Sequence, residues 1–248
     1  MKIICCGDIH GRNVWKEIVL KEEPFDKIVF IGDYWDSFDI AYEEQAKNFL
    51  DICEYKKQNF DKVVLLIGNH DFHYLNCIRE TGECYSGFQG SVSSHIGFLL
   101  EENNDLFQAA YEYKNFLFTH AGVTQTWFER NNFNVKDLTI AEAVNEVFNY
   151  RPESFRFEGY DPYGNDVTQS PIWVRPKSLM EDAKKFKKQI IQIVGHTEQN
   201  CIDIKGKSTG GRYYFIDTLG SSKEYLIINN DLITVGKKNK FELINKSI

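Results

Sequence analysis

Residues 2–11 read Lys-Ile-Ile-Cys-Cys-Gly-Asp-Ile-His-Gly, and this stretch decides the fold. Residues 2–6 form a short apolar run closed by Gly7, after which come two metal-competent side chains, Asp8 and His10. An unbroken apolar run of this length is what a strand buried on both faces requires. The same construction recurs twice. Residues 27–31 lead into Gly32-Asp33-Tyr34-Trp35-Asp36, and residues 62–67 lead into Gly68-Asn69-His70-Asp71. Between these runs, residues 13–22 and 41–60 space their apolar side chains as crossover helices do. The reading is a βαβαβ opening on a parallel sheet.

Further along, residues 116–119 precede His120-Ala121-Gly122, and residues 189–194 precede Gly195-His196-Thr197. The last three apolar runs, 213–216, 225–228 and 232–235, are separated by Gly220 and by Asn229-Asn230, and they predict an antiparallel meander. Residues 76–115 and 124–188 are expected to hold most of the remaining helix and loop. Residues 150–165, rich in aromatics, Gly and Pro, read as an irregular surface loop.

Ligands of open α/β sheets gather beyond the carboxyl ends of the strands, so five such endings converge on one crevice. Asp, His and Asn donors suit Mn, Fe, Zn or Mg. Two carboxylates, three imidazoles and an amide oxygen can hold two divalent ions, which typically sit roughly 3.5–4 Å apart.

The chain has 248 residues, is 42% hydrophobic and 26% charged, and carries a net charge of −7. These are the proportions of an ordinary soluble globular protein, and the charge argues against a broad nucleic-acid or anionic-membrane footprint. The six cysteines, Cys5, Cys6, Cys53, Cys77, Cys84 and Cys201, form no CxxC pair. Cys5 and Cys6 suit a strand as small hydrophobes. No apolar stretch approaches the length of about 18 residues needed to span a membrane. The expectation is one domain over residues 1–248, in a reducing cytoplasm, without a membrane partner.

The ordered set GDIHG, GDYWD, GNHD, THAGV and GHT, between residues 7 and 197, resembles the calcineurin-like metallophosphoesterases. It is most similar to their phosphoprotein-phosphatase branch, which includes bacterial and phage Ser/Thr phosphatases and symmetric diadenosine tetraphosphatases. The resemblance implies an α/β fold: a β-sandwich of two mixed sheets flanked by helices, in a single domain. It implies a dinuclear centre, with manganese first and iron, zinc or magnesium as alternatives. Asp8 and His10 would bind one ion, Asp33 would bridge, and Asn69, His120 and His196 would complete the other. Asn69 would also border the substrate. His70 would act as general acid, oriented by Asp36, while a metal-bridging hydroxide attacks phosphorus.

The implied reaction is hydrolysis of a phosphomonoester, with Ser/Thr phosphoproteins first. A dinucleoside polyphosphatase, a nucleotide phosphatase or an RNA-end phosphatase stands as the alternative within the fold. A non-catalytic protein that binds a phosphorylated ligand or a partner is the alternative outside it.

The chain departs from the family pattern where Ser37-Phe38 replaces Arg-Gly and where Asp71 replaces Glu. The stretch Ser170-Pro171-Ile172-Trp173-Val174-Arg175-Pro176 resembles the Trp-x-Arg segment of bacterial members, which makes Arg175 the candidate phosphate clamp.

Plainer readings stand beside these. Asp8, Asp33 and Asn69 could cap helices or turns. His120 and His196 could be satisfied core residues. His73 and His95 read as ordinary surface or packing residues, and Asp71 as a hydrogen-bonding residue. Asp217 reads equally as a late family motif or a turn. The lysine-rich residues 184–188 read as a solvated helix face. The aromatics Phe155, Phe157, Tyr160 and Tyr163 read as packing a loop against the body.

Overall fold

The computed structural model describes residues 1–75, 86–131, 138–182, 186, 189–205, 212–230, 232–237 and 241–242. The opening follows the sequence pattern: β1 (Lys2–Cys6), α1 (Val14–Glu22), β2 (Lys27–Phe30), α2 (Tyr42–Gln58) and β3 (Val63–Leu66). β1, β2 and β3 pair in parallel, in that order. Next come α3 (Asn69–Phe72), α4 (Ser93–Glu101), β4 (Phe107–Gln108), β5 (Ala110–Tyr113) and β6 (Phe116–Thr119). Three helices follow, α5 (Gln125–Asn131), α6 (Ile140–Tyr150) and α7 (Pro176–Asp182). The chain then adds β7 (Ile191–Val194), β8 (Asp203–Lys205), β9 (Arg212–Phe215), β10 (Tyr225–Asn229), β11 (Leu232–Gly236) and β12 (Phe241–Glu242).

Two mixed sheets result. One has seven strands in the order β12-β11-β10-β1-β2-β3-β4, and the other has five in the order β5-β6-β7-β9-β8. The two-residue period of a strand explains why the opening runs are apolar throughout. Ile4, Cys6, Ile28, Phe30, Val63 and Leu65 pack toward the helical layer, against Trp15, Ile18, Phe49 and Ile52. Their alternates Ile3, Cys5, Val29, Ile31, Val64 and Leu66 pack with Phe116, Phe118, Ile191, Ile193 and Tyr214 of the second sheet. Each such side chain contributes about 1.5–3 kcal/mol when fully buried. A polar residue anywhere in these runs would therefore break one layer or the other.

The helices are held by local chemistry as well. α2 buries Gln45, Asn48, Phe49, Ile52, Cys53 and Lys56, a stripe at helical spacing. Buried Lys56 donates to the carbonyls of Phe60 (2.6 Å) and Val63 (2.8 Å), which ties the end of α2 to β3. α6 begins with a reciprocal cap: Thr139 Oγ1 accepts from Glu142 N, and Glu142 accepts from Thr139 N.

The expected closing meander is only partly present. β10 and β11 pair antiparallel, but β9 lies in the other sheet, parallel to β7. The aromatic pattern of Tyr213–Phe215 serves both arrangements equally well, and only the partner strand decides between them. The expectation of helix and loop between residues 76 and 115 also needs correction. It missed β4 and β5, the latter pairing antiparallel with β6 across the two-residue connection Lys114-Asn115. Of the aromatics, Phe155 is buried and Phe157 stacks edge-on against Trp173, whereas Tyr160 and Tyr163 stand exposed. The structure describes no disulfide: Cys5, Cys6, Cys53 and Cys201 are free thiols, and Cys77 and Cys84 lie outside the described residues. Residues 184–188, apart from Phe186, also lie outside them. Among the described residues, no helix is long and apolar enough to cross a membrane.

Candidate functional site

The turns that follow β1, β2, β3 and β7 meet in one open cleft of about 470 Å³, lined by Asp8, His10, Asp33, His70, Arg175 and His196 among others, while the turn after β6 brings the fully buried His120 against Asn69 and Asp33. Backbone geometry here is unusual. His10, Asp33, Asp36 and His196 all have positive φ, at 41°, 52°, 64° and 64°. Residues other than glycine held in this region cost about 1–3 kcal/mol each and persist where their surroundings fix them. Here they are fixed. His10 N–H donates to Asp33 O at 2.6 Å, and His196 N–H donates to the Asp8 carboxylate at 2.9 Å.

Two glycines are required by close approach. A Cβ on Gly68 would lie 2.1 Å from Asp33 Oδ1, and one on Gly195 would lie 1.9 Å from Asp8 Oδ1.

The tautomers of three imidazoles follow from their remote nitrogens. His10 Nδ1–H donates to Trp35 O (2.6 Å), His120 Nδ1–H to Ile31 O (3.0 Å), and His196 Nε2–H to Trp173 O (3.1 Å). Each bond leaves the other ring nitrogen with a lone pair turned inward. His120 Nε2 and His196 Nδ1 then lie 2.9 and 2.8 Å from the same Asn69 Oδ1. His120 Nε2 is also 3.3 Å from Asp33 Oδ2, and His10 Nε2 is 3.7 Å from it. Ligand atoms of Asp8, Asp33 and His120 lie within 4.8 Å of one another.

Acceptors thus face acceptors. Burial, reinforced by Arg175 and His120, pushes the His196 imidazole well below its usual range, so a proton does not relieve the contact. Burial, with Asp217 and Asp33 nearby, pushes the Asp8 carboxyl up. Hard oxygen and borderline nitrogen donors in this arrangement fit divalent cations.

Beside this set stands a second. Asp36 is buried and accepts from His70 Nδ1 (2.9 Å), His73 Nε2 (2.7 Å), Tyr74 OH (2.5 Å) and Gln89 Nε2 (3.2 Å). Burial works against protonation of His70, but Asp33 and Asp36 prevail and push it up to about 9. Nδ1 is engaged by Asp36, which leaves Nε2 for whatever enters the cleft. These donors hold the Asp36 carboxyl below its ordinary range despite its burial.

Asp71 also hydrogen-bonds as its residue type suggests. It accepts the backbone N–H groups of Asp33 (2.8 Å), Tyr34 (2.7 Å) and Gly68 (2.9 Å). Arg175 Nη1 donates to His196 O (2.9 Å) and Thr197 Oγ1 (3.1 Å), and its Nε to Tyr163 O (3.1 Å). Its Nη2 group takes part in none of these bonds.

The profile of the calcineurin-like phosphoesterase family matches residues 1–218. The chain belongs to that family. As a calcineurin-like phosphoesterase it is a metal-dependent phosphoester hydrolase, and the acceptor set described above is its candidate centre for divalent metal. Solved structures share the fold. A cold-active protein-tyrosine phosphatase from Shewanella sp. is 17% identical with a TM-score of 0.67, covering 98% of this chain and 80% of that one. A protein serine/threonine phosphatase from Saccharomyces cerevisiae is 12% identical with a TM-score of 0.58, covering 100% and 81%. A metallophosphoesterase from Sphaerobacter thermophilus is 14% identical with a TM-score of 0.53, covering 98% and 90%. No curated protein sequence matches the chain.

Several residues of this phosphoesterase site escape the sequence reading. His73 is fully buried and bonds to Asp36, which corrects its reading as an ordinary surface or packing residue; His95 is exposed and contacts Tyr42. His73 and Tyr74 follow His70 within one helical turn, a spacing that would have signalled a shared face. Arg12 lines the cleft directly after GDIHG, with Nη2 3.1 Å from Asp39 Oδ1, an oxygen that also accepts from Ser37 Oγ at 2.7 Å. Asp217, which the sequence reads equally as a late family motif or a turn, lines the cleft from the turn after β9 and adds a further strand end to the crevice.

Proposed function

We propose that residues 1–248 act as one domain that hydrolyses phosphomonoesters at a two-metal centre, with phosphorylated proteins ahead of nucleotides as substrates. One observation carries the reading. Three imidazoles, each locked by a backbone carbonyl, aim lone pairs into a space already occupied by carboxylate and amide oxygens. Asp8 and His10 would hold one ion, Asp33 would serve both, and Asn69, His120 and His196 would hold the second. Divalent cations there would acidify water and offset charge on phosphoryl oxygens. Manganese stands first among the candidate metals, with iron, zinc or magnesium as alternatives.

The protein's own groups do the rest. His70, kept charged by Asp36, is placed to deliver a proton to the departing oxygen. Arg175 and Arg12 supply guanidinium charge to a phosphate dianion that otherwise meets Asp8, Asp33 and Asp36. Arg12 thereby stands in for the arginine that Ser37 displaces, because Asp39, itself bonded by Ser37 Oγ, holds it beside that loop. The preference for phosphoproteins rests on the motif resemblance to phosphoprotein phosphatases.

The test loads purified protein with manganese, counts bound ions, and follows phosphate release from p-nitrophenyl phosphate, a phosphopeptide and diadenosine tetraphosphate. Two ions per chain with turnover of the monoesters is the expected result. Bound metal without turnover of any of them would favour a phosphate-binding protein instead.

A further inference from the structure

Among the residues that line the cleft, one side chain is apolar. Phe38 stands 83% exposed on a wall otherwise built of charged and polar groups and Gly220. Its position is informative. The point where a side chain on Gly87 would begin lies 3.5 Å from Phe38 Cζ, 3.5 Å from His70 Cε1 and 3.1 Å from Asp36 Cβ. Phe38 therefore borders the His70–Asp36 pair, the pair that the proposed reaction uses to protonate the departing oxygen. Gly87, at φ 86°, sits where any side chain would meet both rings.

We propose that Phe38 is the leaving-group platform of this site and that its favoured substrates are aryl phosphates, the phosphotyrosyl side chain above all. This rests on the phosphomonoesterase reading and narrows it, reversing the serine-and-threonine order that the motifs imply. The argument is one of reach. In an aryl ester the ring is bonded directly to the oxygen that His70 serves, so it falls against Phe38. A seryl ester offers a single methylene at that distance, and a nucleotide holds its base beyond the sugar. Ring-on-ring contact adds to simple burial because the edges and faces of aromatic rings attract each other. Among the described residues, Phe38 is the apolar side chain that lines the cleft. Its exposure means that replacing it leaves the folded core untouched.

The experiment compares the manganese-loaded wild type with Phe38→Ala and Phe38→Leu. It uses a phosphotyrosine peptide, the phosphoserine peptide of the same sequence and a nucleoside 5′-monophosphate. The wild type is expected to prefer phosphotyrosine, and Phe38→Ala to shrink the tyrosine-to-serine ratio of kcat/KM by roughly 2- to 10-fold, mainly through KM. Phe38→Leu should fall between them. Phenylphosphonate binding, read by calorimetry against methylphosphonate, should weaken in the same proportion. A ratio unmoved by Phe38→Ala, or a nucleotide whose KM alone depends on Phe38, overturns the proposal while leaving the hydrolase reading intact. Absence of turnover on all three substrates refutes the hydrolase reading instead, and phenylphosphonate affinity then still decides the role of Phe38.

Discussion

Replacing Asp71 tests whether the cleft is held by backbone hydrogen bonds. Its Oδ2 accepts from Asp33 N and Gly68 N, and its Oδ1 from Tyr34 N, all in a buried position. Asp71→Ala leaves three buried donors without an acceptor, each worth about 1–3 kcal/mol when unsatisfied. Water entering the vacated space recovers part, so a net loss of about 3–5 kcal/mol is expected. For a chain of this size that lowers Tm by about 10 °C. Asp71→Asn should cost about a third to a half as much by the same arithmetic. Its amide oxygen can replace Oδ2 and keep two bonds, while its NH2 group meets Tyr34 N–H donor to donor. Asn also removes a charge near Asp33, whose repulsion, with burial, pushes the Asp71 carboxyl up. Asp71→Ala removes the same charge, so both changes should cost less in metal-free protein, while the gap between them should hold. Calorimetric unfolding with and without manganese reads all four values. If Asn destabilises as much as Ala, or if both changes fall below about 1 kcal/mol, the three hydrogen bonds do not hold the cleft.

His70→Asn should lower kcat by about 10²–10⁴-fold with metal content unchanged. The loss should be smaller on p-nitrophenyl phosphate than on an alkyl phosphate, and equal losses would remove the acid role. Asp33→Asn should abolish turnover and reduce bound metal as counted by elemental analysis; two retained ions would show that Asp33 does not bridge. Arg175→Ala and Arg12→Ala should each raise KM, since losing one charged hydrogen-bond partner typically costs about 1.5–3 kcal/mol. Arg12→Lys should not restore KM if the bond is bidentate. Chelation should lower Tm because it restores the unrelieved contacts around Asn69, and an unchanged Tm would mean that those acceptors are satisfied without metal.

The parts of the fold legible in sequence are those where local pattern and tertiary role coincide. The first three apolar runs must be strands, because both of their faces are covered, and their closing glycines Gly7, Gly32 and Gly68 must be glycines, because Ile216 O, Gly68 N and Asp33 Oδ1 approach where a Cβ would lie. Choice of sheet partner is not local. Tyr213–Phe215 gives the same pattern beside β7 as it would beside β10, so β9 was assigned to the wrong sheet. The two-residue β4 carries too little pattern to stand out. β5 does carry the signal, a short run of Ala-Tyr-Glu-Tyr before the Lys114-Asn115 connection. The candidate ligands were legible because each follows a strand directly. Gln89 and Phe38 were not, because their neighbours come from distant parts of the chain: Gln89 meets Asp36 across 53 positions of sequence.

The sequence Asn69-His70 shows how adjacency in sequence becomes division of labour in space. Both residues open α3, and successive helical residues point about 100° apart. Asn69 turns its oxygen to His120 and His196, while His70 turns its ring to Asp36. The backbone N–H of His70 meanwhile donates to Asp33 Oδ1 at 2.9 Å, so the proposed bridging carboxylate and the proposed acid share one anchor. Asp33 and Asp36 repeat the division within a single turn, one facing the metal-competent donors and the other facing His70. On the proposed reading, a substrate phosphate entering between the two sets would have its attacking and departing sides fixed by two short segments, 33–36 and 69–73. The asymmetry of the proposed hydrolysis would then follow from how α3 is joined to β3 at Gly68. Lengthening that junction by one residue between Gly68 and Asn69 should rotate both side chains away from their partners together. Metal content and turnover should then fall in parallel, whereas loss of turnover with both ions retained would show that the two sets are anchored independently.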